Sequence, residues 1–273
     1  VGRRRALSIV DAEELRPVIV PDMTDTAAPR PAALDASRRT AKAIHDVPAS
    51  FMLDMEMYAD AAALGYEGVS FYVAGRGGVL GEVEHTVVFE AFTFFPPETV
   101  KAGWESGASV EPRVEAAERF AGYAAKWATA NIPDDSGDLA RLAELCGSVI
   151  SAADPTGAPV FAGWRDLPEP EGARELVVHR LNALRELRAA RHGAAVREVG
   201  LDPVDAFMIR TPYMAGIFGW PEPTEGPDDA AQAKWARAET LTDERFGADL
   251  AVLDDEALAE LCTLCDELLA AVS

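Results

Sequence analysis

Apolar residues recur every three to four positions over most of the chain, a spacing that predicts amphipathic α-helices. The clearest of these segments are 49–64, 112–129, 136–152, 171–199, 230–246 and 254–271. Glycine and proline separate them, and no two alternating segments are joined by a hairpin turn. The pattern therefore predicts an all-α fold of nine or ten helices. We expect a multi-helix, single-core domain with a C-terminal helical pair.

Shifts in composition divide the chain into four parts. Residues 1–35 contain four prolines and show no sustained period, so we expect a flexible N-terminal arm. Residues 36–218 form the predicted ligand-binding core. Residues 219–229 are an acidic linker rich in proline and glycine. Residues 230–273 then supply two helices that we expect to pack on the core.

Three local predictions depend on single residues or short runs. Pro48 predicts a break between two helices, since proline lacks the backbone N–H and clashes with the preceding turn. Segment 84–95 has the valine and phenylalanine content of a strand, but its helical neighbours favour a helix. Ser136 is the predicted N-cap of the helix that follows it.

The segment 171–199 has the longest helical pattern, and it holds two of the four histidines. A helical wheel places a row of polar residues opposite its apolar arc, and these are predicted to face water: Glu175, His179, Asn182, Glu186 and Arg197. Arg185, Arg188 and His192 lie inside the apolar arc instead. Charged groups facing a core are costly without partners, so these three side chains mark a candidate site.

Two explanations fit this inward-facing row. Guanidinium and imidazole groups on one helix face form a receptor for a carboxylate or a phosphate. The alternative is a structural network of ion pairs around a long helix that is enclosed on all sides. Both explanations predict that removing one partner of a truly buried pair is strongly destabilising.

The net charge of −21 and the sequence pI of about 4.5 argue against nucleic-acid and anionic-membrane partners. No segment approaches the roughly 20 apolar residues of a membrane span. The apolar part of the N-terminal stretch is too short for a secretion signal. Cys146, Cys262 and Cys265 cannot form a disulfide framework. These features together predict a cytoplasmic protein.

Three further motifs give weaker chemical signals. The Cys-x-x-Cys of 262–265 falls in an apolar stripe, which favours core packing. The glycine-rich run 75–81 matches no nucleotide-binding loop and is interpreted as a tight turn between helices. Glu82 and His85 have the Glu-x-x-His spacing of di-iron bundles, but only one such motif is present where two are needed.

Several stretches together resemble an actinobacterial family of all-helical proteins that is largely uncharacterised and carries a helix-turn-helix label. They are the helix end at His45, GVSFYVAGRGGVLG over 68–81, LRELRAARHGAA over 184–195 with the following GLDP, and the C-terminal segment from Leu241. The resemblance carries family positions onto Arg76, Arg185, Glu186, His192 and Thr242-Asp243. It implies a helical fold with a pocket. The segment after Trp220 is shorter than the winged segment of the family, which implies a reduced DNA-reading unit.

The leading hypothesis is a protein that binds a small anionic or polar organic ligand, in the manner of an enzyme of specialised metabolism. The expected site residues are His192 and His45 as acid–base groups, with Arg76, Arg185, Arg188, Tyr72 and Trp164 binding the substrate. No cofactor or metal is expected, and a homodimer is compatible with the sequence. Two alternatives stay open: a ligand-responsive regulator, and a metal-dependent helical oxidase that uses His85, His179 and neighbouring carboxylates.

Overall fold

A computed structural model describes residues 28–221 and 226–272. The helices in these ranges are α1 (Pro31–Met52), α2 (Met55–Leu64), α3 (Ser70–Gly77), α4 (His85–Phe92), α5 (Pro97–Gly107), α6 (Arg113–Asn131), α7 (Leu139–Ala152), α8 (Pro159–Arg165), α9 (Ala173–Glu198), α10 (Pro203–Arg210), α11 (Ala215–Phe218), α12 (Asp229–Leu250) and α13 (Asp255–Val272). Two short 3-10 helices span Gly78–Leu80 and Pro212–Met214. No residue in the described ranges belongs to a strand, so the predicted all-α class is confirmed.

The longest helix, α9, runs through the middle of the fold. It packs against α1, α6, α7, α8 and α12. Side chains from nearly all of its circumference are buried, including Val178, His179 and Asn182. The segment with the longest helical pattern is therefore the central helix, enclosed on most sides, and not a surface helix with one wet face.

The core is one large apolar cluster around α9, with a smaller cluster beside it. Phe51, Phe71, Phe120, Phe161 and Trp164 are among its largest fully buried side chains. The smaller cluster joins the C-terminal end of α9 to α10 and α12. α12 also packs on α1, and α13 packs on α1 and α7. The N-terminal and C-terminal helices thus lie side by side.

Pro48 lies inside α1 and does not break it, so that prediction is wrong. α1 is held along its length by α9, α12 and α13. Burial of Val47, Pro48 and Phe51 offsets the backbone hydrogen bond that proline cannot make. The helix also begins at Pro31, earlier than the expected core boundary at residue 36, with proline in the first turn, where its missing N–H costs nothing.

The structure also tests the predictions for segment 84–95, the N-cap of α7 and the glycine-rich run. α4 confirms the helical interpretation of 84–95. The N-cap of α7 is Asp138, whose carboxylate accepts from the Arg141 N–H, and not Ser136, whose hydroxyl donates to the Pro133 carbonyl. In the glycine-rich run, α3 continues to Gly77, so the turn is confined to residues 78–81. Short helices such as α8 and α11 span too few residues to show a period, which explains why the sequence predicts too few helices.

Two of the predicted segments fall partly beyond the described ranges. Residues 1–27 of the expected N-terminal arm and residues 222–225 of the expected linker lie outside them.

Candidate functional site

The end of α3 carries a buried arginine that is paired with the central helix. Arg76 Nε and Nη2 donate to the two carboxylate oxygens of Glu186, each at 2.8 Å. Arg76 Nη1 donates to the Tyr72 hydroxyl at 3.3 Å, and the guanidinium carbon lies 4.2 Å from the centre of the Phe92 ring. The side chains of Arg76 and Glu186 are 5% and 1% exposed. Arg76 is therefore enclosed by protein partners, as in the structural ion-pair explanation.

Glu186 was predicted to face water, and this prediction is wrong. Burial alone would raise the pKa of its carboxyl group. The charges and hydrogen bonds of Arg76 and Arg185 outweigh that effect and lower the pKa below its ordinary value. The carboxylate stays ionised in the core because two guanidinium groups face it.

Arg185 lies between this buried pair and the surface of the protein. Its Nη1 donates to Glu186 Oε1 at 2.9 Å, and its side chain is 14% exposed. Its Nε is buried and has no hydrogen-bond partner in the described structure. Arg185 thus has donor capacity left over beyond its contact with Glu186.

Arg188 and His192 lie one and two turns further along α9, facing α12. Arg188 Nη2 lies 3.2 Å from Asp243 Oδ1, and its buried Nε also lacks a partner. His192 Nδ1 lies 2.8 Å from the Thr242 hydroxyl oxygen and 3.4 Å from Glu239 Oε1. Carboxylates of α12 therefore balance part of the positive charge in this region.

Aromatic rings enclose His192 on two sides. Its ring centre lies 5.4 Å from that of Phe94 and 5.0 Å from that of Trp235. This burial, followed by the positive charges of Arg188 and Arg210, lowers the pKa of His192 from 6.5 to about 4. The imidazole is therefore neutral at pH 7. Its pKa lies well below the ordinary value expected from the sequence.

His45 comes to the same region from α1. Its Nδ1 lies 2.7 Å from Asp46 Oδ1, and its side chain is 44% exposed. Desolvation by the surrounding protein, and then the positive charges of Arg185 and Arg210, lower the pKa of His45 to about 4. His45 thus lies at the rim of the same electrostatic environment as His192.

Arg210, the last residue of α10, also acts on this region, although it is not among the site residues predicted from the sequence. Its charge acts on His45, His192 and Glu239. Hydrogen-bonded and ion-paired partners for it are absent from the described residues. A basic residue in the last turn of a helix was the available signal, but such residues are common there and do not by themselves indicate a site.

Two of the predicted site residues lie away from this region. Trp164 is fully buried, with its ring centre 5.7 Å from His179, and His179 is itself 5% exposed although it was predicted to face water. Tyr72 packs in the core against Phe95, next to Arg76. Neither ring forms a hydrogen bond or ring contact with Arg185, Arg188 or His192 in the described structure, so the expected single site divides into a core pair and a separate cluster nearer the surface.

We call the latter the basic cluster and define it as His45, Arg185, Arg188, His192 and Arg210, from α1, α9 and α10. Two neutral imidazoles and three guanidinium groups give it a local positive charge. Glu239 and Asp243 of α12 offset this charge only in part, because Asp243 is also shared with Arg38 of α1. Such an arrangement is suited to holding an anion.

The metal-ligand alternative finds no cluster in the part of the chain that the structure describes. No group of three or more histidine, cysteine and acidic side chains there could hold a metal ion. His85 Nδ1 lies 3.8 Å from Glu105 Oε1, whereas His179 is enclosed beside Trp164. The two cysteines of 262–265 are buried in the apolar core, which confirms their packing role.

The sequence profile of the Helix-turn-helix family matches residues 37–226. The chain belongs to the Helix-turn-helix family. The match begins within α1 and extends past α11, so it includes α9 and its neighbours α6, α7 and α8, whereas α12 and its Thr242-Asp243 pair lie beyond it. No curated protein and no solved structure matches the chain. Across the described ranges, no helix combines the length and the apolar character needed to cross a membrane.

Proposed function

We propose that this Helix-turn-helix family protein binds a small organic anion in the basic cluster. The observation that carries the proposal is unused hydrogen-bonding capacity on its arginines. Arg185 and Arg188 each keep a buried Nε without a partner. Arg210 is exposed to solvent and has no hydrogen bond or ion pair with another described residue. A carboxylate or phosphate group accepts two hydrogen bonds side by side from a guanidinium group, which would satisfy such donors.

The charge of the whole chain strengthens this proposal. A net charge of −21 means that positive charge is scarce, and most described arginines and lysines are paired with carboxylates. Arg185 and Arg188 are already paired with carboxylates, so Arg210 is the guanidinium group of the basic cluster that has no ion-pair partner among the described residues. A bound anion would offset its charge.

An enzymatic form of the proposal gives His192 the role of a base. Because burial and neighbouring arginines hold its pKa at about 4, it is unprotonated at pH 7. It would accept a proton from a ligand whose negative charge the arginines hold. His45, Arg76, Tyr72 and Trp164 have supporting roles here: His45 at the rim, Arg76 behind Glu186, and the two rings in the core.

Substitution of the cluster arginines tests the proposal. We expect native mass spectrometry of the purified protein to detect a small acidic ligand, and Arg188→Met and Arg210→Met to reduce its occupancy about tenfold or more. Arg119→Met is the matched control, because that arginine pairs with Glu111 elsewhere on the surface. Equal occupancy in all three folded variants would refute the proposed site.

A second candidate, a ligand-responsive regulator that binds DNA, is favoured by family membership. The surface charges oppose it: Arg38, Arg39 and Lys42 on α1 are each paired with a carboxylate and so are poorly placed to replace counterions on a phosphate backbone. A gel-shift assay with genomic fragments tests it. Sequence-selective binding that weakens steeply with salt would support the regulator, and weak binding alike to all fragments would oppose it.

A further inference from the structure

The hydrogen bonds around His192 fix which of its ring nitrogens carries the proton. The Thr242 hydroxyl donates to the Ala238 carbonyl at 2.7 Å, one turn back in α12. A hydroxyl has only one hydrogen, so its oxygen is left to accept from His192 Nδ1 at 2.8 Å. Glu239 Oε1, 3.4 Å from the same nitrogen, is a second acceptor. Nδ1 therefore carries the hydrogen and Nε2 keeps its lone pair.

His45 is oriented in the same way by a different partner. Its Nδ1 lies 2.7 Å from Asp46 Oδ1. Hydrogen bonds from Lys42 and His45 lower the pKa of Asp46 despite its partial burial, so the carboxylate is ionised and can only accept. His45 Nδ1 is the donor, and its Nε2 is again a hydrogen-bond acceptor.

Both Nε2 atoms lack a hydrogen-bond partner in the described structure, in a cluster whose other members are guanidinium groups. The cluster thus presents two kinds of group to a ligand: donors on its arginines and acceptors on its histidines. A carboxylate or a fully ionised phosphate has no hydrogen to donate and would satisfy only the first kind. An acceptor that loses its water and stays unpaired in the complex would weaken binding.

We infer that the ligand of the basic cluster is a hydroxy acid, an anion that carries a hydroxyl donor beside its acidic group, with Thr242 as the residue that sets the acceptor form of His192. This inference rests on the proposed function. In the complex, the arginines hold the acidic group and the hydroxyl donates to His192 Nε2. Thr242 is a positioning residue, since it acts through the imidazole and need not touch the ligand.

The first part of the test reads the tautomer directly and needs no ligand. Nitrogen-15 NMR of the histidine rings at pH 7 distinguishes Nδ1–H from Nε2–H, and we expect Nδ1–H for His192. Thr242→Val keeps the shape of the buried side chain but removes the oxygen, so the Nε2–H fraction is expected to rise. Thr242→Ser keeps the hydroxyl and is expected to behave as the parent protein.

The second part uses three acids that differ at one position. Mandelate carries a hydroxyl beside its carboxylate, O-methylmandelate keeps the oxygen without its hydrogen, and phenylacetate lacks the oxygen. Titration followed by the His192 ring signals should give about fivefold tighter binding of mandelate than of either other acid. Thr242→Val should reduce that preference, and Thr242→Ser should retain it.

The outcomes separate this inference from the proposed function. An Nε2–H tautomer in the parent protein, or equal binding of the three acids, overturns the hydroxy-acid inference and leaves the anion site intact. No binding of any of the three acids at millimolar concentration overturns both. A mandelate preference that persists unchanged in folded Thr242→Val removes Thr242 from its positioning role.

Discussion

Arg76 and Glu186, 110 positions apart in the chain, are joined by two parallel hydrogen bonds of 2.8 Å inside the core. Arg185 donates to the same carboxylate from the side of the basic cluster. One buried carboxylate thus links the aromatic core around Tyr72 to the region proposed to bind the ligand. The pair is structural, and it fixes the position from which Arg185 reaches outward.

Removing one member of this pair should be strongly destabilising. Arg76→Met leaves the Glu186 carboxylate buried with only Arg185, and we expect the free energy of unfolding to fall by about 3–5 kcal/mol. Urea unfolding measures the loss. Lys126→Ala, which breaks an exposed contact with Glu56, is the control and should change little.

A double substitution distinguishes a charge effect from a packing effect. Arg76→Met with Glu186→Leu removes both charges together, so its cost should be smaller than the sum of the two single substitutions. If the two losses simply add, the ion pair is not what makes the single substitutions costly.

His192 should make the protein sensitive to mild acid. The unfolded ring takes up a proton near pH 6.5, whereas the folded ring resists protonation until about pH 4. Between these values the unfolded chain binds more protons, so stability should decrease as the pH falls from 6.5 towards 4. Urea unfolding of the parent protein and His192→Asn across this range measures the contribution.

His192→Asn keeps a donor for the Thr242 hydroxyl and removes the titrating ring. We expect its stability to depend less steeply on pH than that of the parent protein, while acidic groups contribute equally to both. Matching slopes in the two proteins would contradict the lowered pKa of His192.

Two glycines of neighbouring helices should respond oppositely to alanine. A Cβ atom on Gly75 of α3 would lie 2.8 Å from the Phe120 side chain, so Gly75→Ala should cost about 1–3 kcal/mol through overpacking. A Cβ atom on Gly122 of α6 would meet nothing within 4 Å. Gly122→Ala should therefore stabilise by about 0.5–1 kcal/mol, because alanine favours the helix. Thermal unfolding of both variants provides the comparison, and destabilisation by Gly122→Ala would contradict this account of α6.

The three cysteines should be unreactive in the native protein. All are buried, and burial raises the pKa of Cys146 to about 12. A thiol reagent at pH 8 should label none of them within minutes without denaturant and all of them in concentrated urea. Fast labelling of the folded protein would show that the C-terminal pair of helices opens readily.

The sequence alone determines most of the longer helices of this protein, because their signals are local; Pro48 inside α1 and the short helices α8 and α11 are the exceptions. The apolar period of α6, the glycine that follows α9 and the Asp202-Pro203 start of α10 all operate within a few residues. The inward-facing positions of Arg185, Arg188 and His192 also follow from periodicity, as the arc of the wheel on which they lie does pack against other helices.

Only the tertiary structure decides what surrounds α9. A helical wheel assumes that one face of the helix is exposed to solvent, and so it places Glu186 and His179 in water. Other helices pack on nearly every side of α9 and bury both residues. The partner that makes a buried carboxylate tolerable, Arg76, comes from a helix 110 positions away. Likewise, Arg210 joins His45 and His192 because α10 folds back onto α12, a long-range contact that no local pattern encodes.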